Sequence, residues 1–227
     1  SIGKLHYRND TDDTGFDEQL LPMHVIDGVG DVLGAVRDQT PLPVRYQCEK
    51  LSEGIGSGDS NYLQYDRDIL AETCRWFEEE APKHDDKPWV LFVSFVCPHF
   101  PLVAPPEFYD LYNPKDLEKS KASIEDGYVR HPWVEKLANC QIYDRYFTEE
   151  SRGVARAAYM GMVSFLDDNI GQILAALDSS GLSDSTRVIY TSDHGDNLGA
   201  RGLWGKSNFY QESAAVPFLM AGEGVPE

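Results

Sequence analysis

Asp193 and His194 stand side by side directly after the run Val188-Ile189-Tyr190-Thr191. A carboxylate oxygen beside an imidazole nitrogen is a donor pair that suits calcium, magnesium, manganese or zinc. Gly195 follows, and its backbone freedom lets the chain turn sharply enough for both side chains to converge. Another histidine, His99, lies in Cys97-Pro98-His99-Phe100-Pro101, where prolines on either side stiffen the backbone and fix the direction of the ring. An imidazole with an ordinary pKa of ~6.5 suits general acid catalysis or anion binding. Lys4 and His6 fall on one face of any strand that contains them, and Lys206 lies in Gly202-Leu203-Trp204-Gly205-Lys206. Each signal is weak alone. An Asp-His pair in a loop is most often a solvated turn, a loop histidine is most often packed, and a single lysine is most often a surface residue.

Charge decides which chemistry such residues would serve. The 227 residues hold 20 Lys and Arg against 38 Asp and Glu, a net charge of -18. That field repels nucleic acid and anionic membranes, so neither is an expected partner. No stretch approaches the roughly 20 uncharged apolar residues of a membrane-spanning helix. An anionic small molecule would be repelled too, unless a local cluster of cations or a metal ion reversed the sign. Cys48, Cys74, Cys97 and Cys140 lie far apart and form neither a paired metal spacing nor a dense disulfide pattern, so the compartment stays open, as does association of identical copies.

The elements that must position these residues follow from periodicity. Residues 1–7 alternate like a strand that places Ile2, Lys4 and His6 on one face, so the chain starts inside a strand and reads as an internal segment. The Gly-, Asp- and Pro-rich stretch from Asn9 to Gly58 reads as long loops. Ile69, Leu70, Thr73, Trp76 and Phe77 recur at helical spacing within Tyr65 to Glu80, and Pro82 ends the pattern. Trp89 to Val96 is an almost unbroken apolar run of the kind buried on both faces, which predicts a central strand. The proline-rich Cys97 to Pro114 predicts an extended loop without regular structure, and Lys115 to Glu150 is polar with no evident chemistry. A long amphipathic helix from Arg156 to Leu177, closed by Gly181, and a strand from Arg187 to Thr191 complete the pattern. Strand, loop, helix, strand at this spacing argues for an α/β fold with a largely parallel sheet, whose ligands bind beyond the carboxyl ends of the strands.

Taken jointly, the motifs resemble the sulfatase family of the alkaline phosphatase superfamily. The block Tyr190-Thr191-Ser192-Asp193-His194-Gly195-Asp196-Asn197-Leu198-Gly199 runs on through Lys206 to Tyr210-Gln211-Glu212-Ser213 and Val216-Pro217-Phe218-Leu219. It is similar to the family's metal-ligand and sulfate-lysine block. Gly3-Lys4-Leu5-His6 resembles its Gly-Lys-x-His element, and Pro98-His99-Phe100-Pro101 its proline-flanked histidine. Asp-His in place of Asp-Asn, with Pro22-Met23-His24, lies nearer to choline sulfatases and phosphonate monoester hydrolases than to lysosomal arylsulfatases.

The resemblance implies an alkaline-phosphatase-like sandwich, its largely parallel central sheet flanked by helices and incomplete at both ends, with residues 1–227 a single segment of the catalytic domain. It implies metal-dependent hydrolysis of a small-molecule sulfuric ester by the full-length protein. Asp193 and His194 would bind one divalent cation, calcium first, with manganese or magnesium as alternatives. Lys4 and Lys206 would hold sulfate oxygens, His6 would assist turnover of a covalent intermediate, and His99 would protonate or stabilise the leaving alcohol. The nucleophile of such enzymes is a formylglycine made from Cys or Ser in a Cys/Ser-x-Pro/Ala-x-Arg motif, which this sequence lacks. The two aspartates that complete the metal shell are lacking too, Asp12-Asp13 reading as a solvated turn. The nucleophile part and the C-terminal subdomain are therefore expected outside the chain, and the 227-residue segment alone is expected to be inactive. Two rival readings remain: a phosphodiesterase or phosphonate monoester hydrolase on the same scaffold, and a pseudoenzyme or binding module without chemistry.

Overall fold

The computed structural model describes residues 1–29, 41–84, 87–122, 124 and 127–226. It is a mixed α/β fold in which three parallel strands share one sheet in the order β2-β1-β4: β1 is Ile2–Lys4, β2 Leu20–Met23 and β4 Val93–Ser94. Ile2 sits opposite Leu20 on one side and Val93 on the other. Because the three run parallel, their carboxyl ends open onto one edge.

Periodicity located the helices well. In α1, Asn61–Arg75, Ser60 caps the first turn through a bond from the Leu63 N–H at 3.2 Å, and the buried face carries Leu63, Asp66, Ile69 and Thr73. The expected end at Glu80 holds, although the last turn, Trp76–Glu80, widens into a π-helix before Pro82. Helix α4, Glu149–Ser179, begins earlier than Arg156 because Thr148 and Ser151 form a reciprocal capping box. It buries Ala155, Ala158, Met162, Phe165 and Leu166 in a core shared with Leu63, Leu102, Ala104 and Trp204.

The strands depart more. Alternation over residues 1–7 yields a strand only to Lys4, since His6 takes a φ of 61° and leaves the pleat, so Lys4 and His6 do not share a strand face. The run Trp89–Val96 pairs only through Val93–Ser94 and forms the edge of its sheet among the described residues, leaving Val90 87% exposed. A continuous apolar run reports a strand covered by packed layers on both faces and paired on both edges, and among the described residues only β1 pairs with this one. The strand at Arg187–Thr191, β6, was placed correctly; it pairs antiparallel with β7, Phe218–Gly222, rather than joining the parallel sheet. Cys97 to Pro114, read as irregular, holds β5 at Val103–Ala104, parallel to β3 at Gly56–Ser57, and a short helix α2 at Pro106–Tyr109. Proline at a first helical turn costs nothing, because the N–H it lacks has no partner there. Within Asn9 to Gly58, β2 escaped notice because Pro22 interrupts it; residues 30–40 of that stretch lie outside the described ones. The polar segment contains α3, Pro132–Cys140, and α5, Gln211–Ala214, precedes β7. Among the described residues no helix is long and apolar enough to cross a membrane.

Candidate active site

The first wall of the site is the end of β1. Gly3 has a φ of 99°, and a Cβ there would lie 2.3 Å from the Ser94 carbonyl oxygen, so only glycine lets β1 run beside β4 and deliver Lys4. The His6 N–H then donates to the Met23 carbonyl at 2.8 Å, which holds its turn against the end of β2.

The second wall is the loop after β4. Asp66, fully buried on α1, accepts the Val96 N–H on one oxygen and the Cys97 N–H on the other, both at 2.8 Å. This clamp fixes the backbone that leads to His99. The ring of His99 stacks on Phe100 with centroids 4.5 Å apart, and Nδ1–H donates to the Phe100 carbonyl at 2.8 Å, leaving the Nε2 lone pair outward.

The third wall follows β6. The Gly195 N–H donates to the Ser213 carbonyl at 2.8 Å, and a Cβ at Gly195 would lie 2.2 Å from the Glu212 carbonyl oxygen. Gly195 does not take a positive φ; the glycine is required by this close approach, not by the sharp turn read from the sequence. His194 donates Nδ1–H to the Gly195 carbonyl at 2.7 Å, so Nε2 carries the lone pair. Lys206 donates its ammonium to that nitrogen at 2.5 Å, and the Asp193 Oδ2 lies 3.5 Å from it. The loop that carries Lys206 is held by Asp196, whose Oδ1 accepts the Leu198 N–H at 2.8 Å and the Gly205 N–H at 3.0 Å.

The structure thus brings Lys4, His6, His99, Asp193, His194 and Lys206 into one electrostatic cluster. Burial lowers the pKa of His6, and Lys4 and Lys206 lower it further. Burial likewise opposes the charge on Lys206. For Asp193 burial pulls upward, but the neighbouring His194, Lys4 and Lys206 together outweigh it and hold the carboxylate below its usual range. His99 is pushed down to about 4 by burial, aided by Lys4, Lys206 and His194. Folded His99 therefore binds its proton later than unfolded His99, and stability falls as pH drops from the ordinary imidazole range near ~6.5 toward the folded value. Replacing His99 by Gln is expected to flatten urea-derived stability between those two pH values; an unchanged slope would assign the acid sensitivity to other groups.

Sequence reasoning missed Asp66, Asp196 and Arg45. Arg45 donates to the Tyr143 hydroxyl, and its charge also bears on Lys206. A signal existed for Asp66, because a carboxylate between Leu63 and Ile69 interrupts the apolar face of a helix and so demands buried partners. Asp12 pairs with Arg8 at 2.6 Å, consistent with a local turn.

Parallel strands β1 and β4 leading to Lys4, His6 and His99, with the antiparallel strand β6 leading to the Asp193-His194 pair, define an alkaline-phosphatase-like α/β protein. A description of the sulfatase family matches residues 2–227. The chain belongs to that family. It is 30% identical over 236 aligned positions to a choline-sulfatase of Rhizobium meliloti, covering 98% of this chain and 44% of that protein. It is 34% identical over 160 positions to an arylsulfatase of Clostridium perfringens, covering 69% and 31%. Among solved structures it resembles a phosphonate monoester hydrolase from Silicibacter pomeroyi, with a TM-score of 0.58 and 26% identity over 73% of this chain and 33% of that one. The phosphonate monoester hydrolase of Agrobacterium radiobacter shares the fold along 98% of this chain and 50% of its own, with a TM-score of 0.64 and 22% identity. The chain thus spans half or less of the length of these relatives.

Proposed function

We propose that the full-length protein hydrolyses sulfuric esters with the aid of a divalent cation. The observation that carries this reading is the convergence of Lys4 and Lys206 on Asp193 and His194, a positive pocket in a chain of net charge -18. The family's chemistry calls for a divalent cation and a formylglycine. The donor set fits part of such a cation site: the Asp193 carboxylate lies 3.5 Å from His194 Nε2, whose lone pair a cation would take from the Lys206 ammonium. The described residues contain no group of three or more His, Cys, Asp or Glu that could hold a metal, so Asp193 and His194 would be two ligands of a shell completed elsewhere. Calcium suits the carboxylate, with manganese or magnesium as alternatives. Bound there, the ion would polarise the ester and hold the nucleophile.

The chain's own residues supply the rest. Lys4 and Lys206 hold the ester's anionic oxygens and offset the charge that gathers on them during transfer. His6, at the end of β1, assists release of the covalent intermediate. His99 starts neutral, kept so first by burial and further by the lysine charges, and an anionic substrate counters the second of these. Its Nε2 then takes up a proton that it can pass to the departing alcohol oxygen.

Phosphonate or phosphate ester hydrolysis is the second reading, favoured by the likeness to the Silicibacter pomeroyi enzyme. Full-length protein assayed on 4-nitrophenyl sulfate, bis-nitrophenyl phosphate and phenylphosphonate monoester is expected to show its highest kcat/KM on the sulfate and to lose turnover on chelation, recovering with calcium. Greater turnover of either phosphorus ester would assign the second reading. Failure to turn over any of them, with no metal bound in calorimetry, would assign a binding module. The 227-residue chain alone is expected to be inactive, because no Cys/Ser-x-Pro/Ala-x-Arg motif supplies its nucleophile; metal-dependent turnover by it would sink that expectation.

A further inference from the structure

Residues 206–213 form a loop whose two ends both rest on the His194-Gly195 turn: Lys206 bonds His194 at 2.5 Å and the Ser213 carbonyl accepts the Gly195 N–H at 2.8 Å. The apex of that loop is Phe209-Tyr210. Three residues of chain reach at most about 10 Å, so the apex stands within one small molecule's length of Lys206. There a recess of about 460 Å³ is lined by Phe209, Tyr210, His131, Trp133 and Val134, the last three from α3 and its N-cap. That is ample for the ring of a small organic ligand, whose pockets run from roughly 300 Å³ upward. Phe209 is 96% exposed, so its ring is open to a ligand.

The charges around the recess narrow what it takes. On the lining elements, Glu135 of α3 is ion-paired to Arg130 at 2.9 Å and Glu212 of α5 to Arg201 at 2.7 Å. Both carboxylates are therefore already neutralised. The Arg201 guanidinium also lies 4.1 Å from the centre of the Tyr210 ring and is not part of the lining. A cation drawing on one face of a ring leaves less negative potential for a second cation on the other. The Tyr210 hydroxyl is bonded to that of Tyr128 at 2.8 Å, which fixes the ring's orientation. His131 accepts the Trp133 N–H on Nδ1 at 3.2 Å, so its Nε2–H remains a donor. Three aromatic rings, one aliphatic side chain and one imidazole donor, without an unpaired carboxylate, match a flat aryl group bearing an oxygen acceptor.

We infer that this recess binds the alcohol part of the ester and that the part it fits is an aryl ring, not a quaternary ammonium. The inference rests on the proposed ester hydrolysis for the word substrate, but the recess can be tested without turnover. Full-length protein is titrated with 2-naphthol and, separately, with choline, following tryptophan fluorescence and heat; Phe209→Ala and Trp133→Phe are titrated alongside, the latter preserving a ring. Phe209→Ala is expected to weaken 2-naphthol about tenfold while Trp133→Phe keeps most of the affinity, and choline should bind more weakly than naphthol throughout. In turnover, Phe209→Ala should raise KM for 2-naphthyl sulfate about tenfold, and by much more than it raises KM for methyl sulfate. Choline binding as tightly as naphthol, or naphthol binding that ignores Phe209→Ala, overturns the inference. Naphthol binding that responds to the variants in a protein that cleaves no sulfate ester keeps the recess and removes the proposed reaction.

Discussion

Replacing Lys206 by alanine in the full-length protein is expected to lower kcat/KM for a sulfate ester by about 10²–10³-fold, the range seen when one preorganised charge-stabilising donor is removed from a catalytic site. The ammonium does two things. It offers a positive charge where the ester's oxygens gain negative charge, and it donates at 2.5 Å to His194 Nε2, holding the lone pair that a bound cation would take in its place. The surrounding protein magnifies the loss, because a chain of net charge -18 repels an anion everywhere else. Lys206→Arg keeps the charge but not the compact geometry, and should recover only part of the rate. Steady-state kinetics on both variants, with calcium binding measured in parallel, provide the check. Alanine within a few-fold of wild type would remove Lys206 from the reaction.

Asp66→Ala is expected to cost about 2–6 kcal/mol of folding stability, since two buried N–H groups lose their acceptor and each unsatisfied donor costs roughly 1–3 kcal/mol. Both bonds are 2.8 Å long and the side chain is fully enclosed, so no water replaces it without rearrangement. Asp66→Asn keeps the shape but offers an acceptor on one side only, and should cost less. It should also change the pH dependence. Burial holds the Asp66 carboxyl above the ordinary carboxylate range, so the folded state favours its neutral form and this group's share of stability declines as pH rises from that range through the raised folded value. The asparagine variant removes that decline. Urea denaturation of the three proteins across pH measures both effects, and an alanine variant as stable as wild type would show that the clamp is not needed. Because the clamp holds Val96 and Cys97, a folded Asp66→Ala protein should also lose activity through a displaced His99.

Much of this molecule was written in its local sequence. Helices α1 and α4 were legible because an apolar face repeating at helical spacing has one good solution: to bury that face. The six residues of the cluster were legible by type and neighbourhood, since Asp-His after an apolar run, a proline-flanked histidine and lysines next to glycines each concentrate chemistry at a turn. The motifs' order, compared with a family, supplied what spacing alone did not.

Pairing was a different matter. Which strand lies at a sheet's edge, and whether β6 runs parallel or antiparallel to its neighbour, depends on partners distant in sequence, and an apolar run carries no record of them. Gly195 was read as a turn residue, yet it is needed because the Glu212 carbonyl passes where a side chain would be. Asp66 and Asp196 were passed over for the same reason, as their value lies in backbone N–H groups that only folding brings to them. The sequence by itself determined the side chains available for chemistry and the helices that carry the core. Only the tertiary structure decided that Lys4, His99 and Lys206 meet at the Asp193-His194 turn, because the field each feels is the sum of charges that long-range contacts set around it.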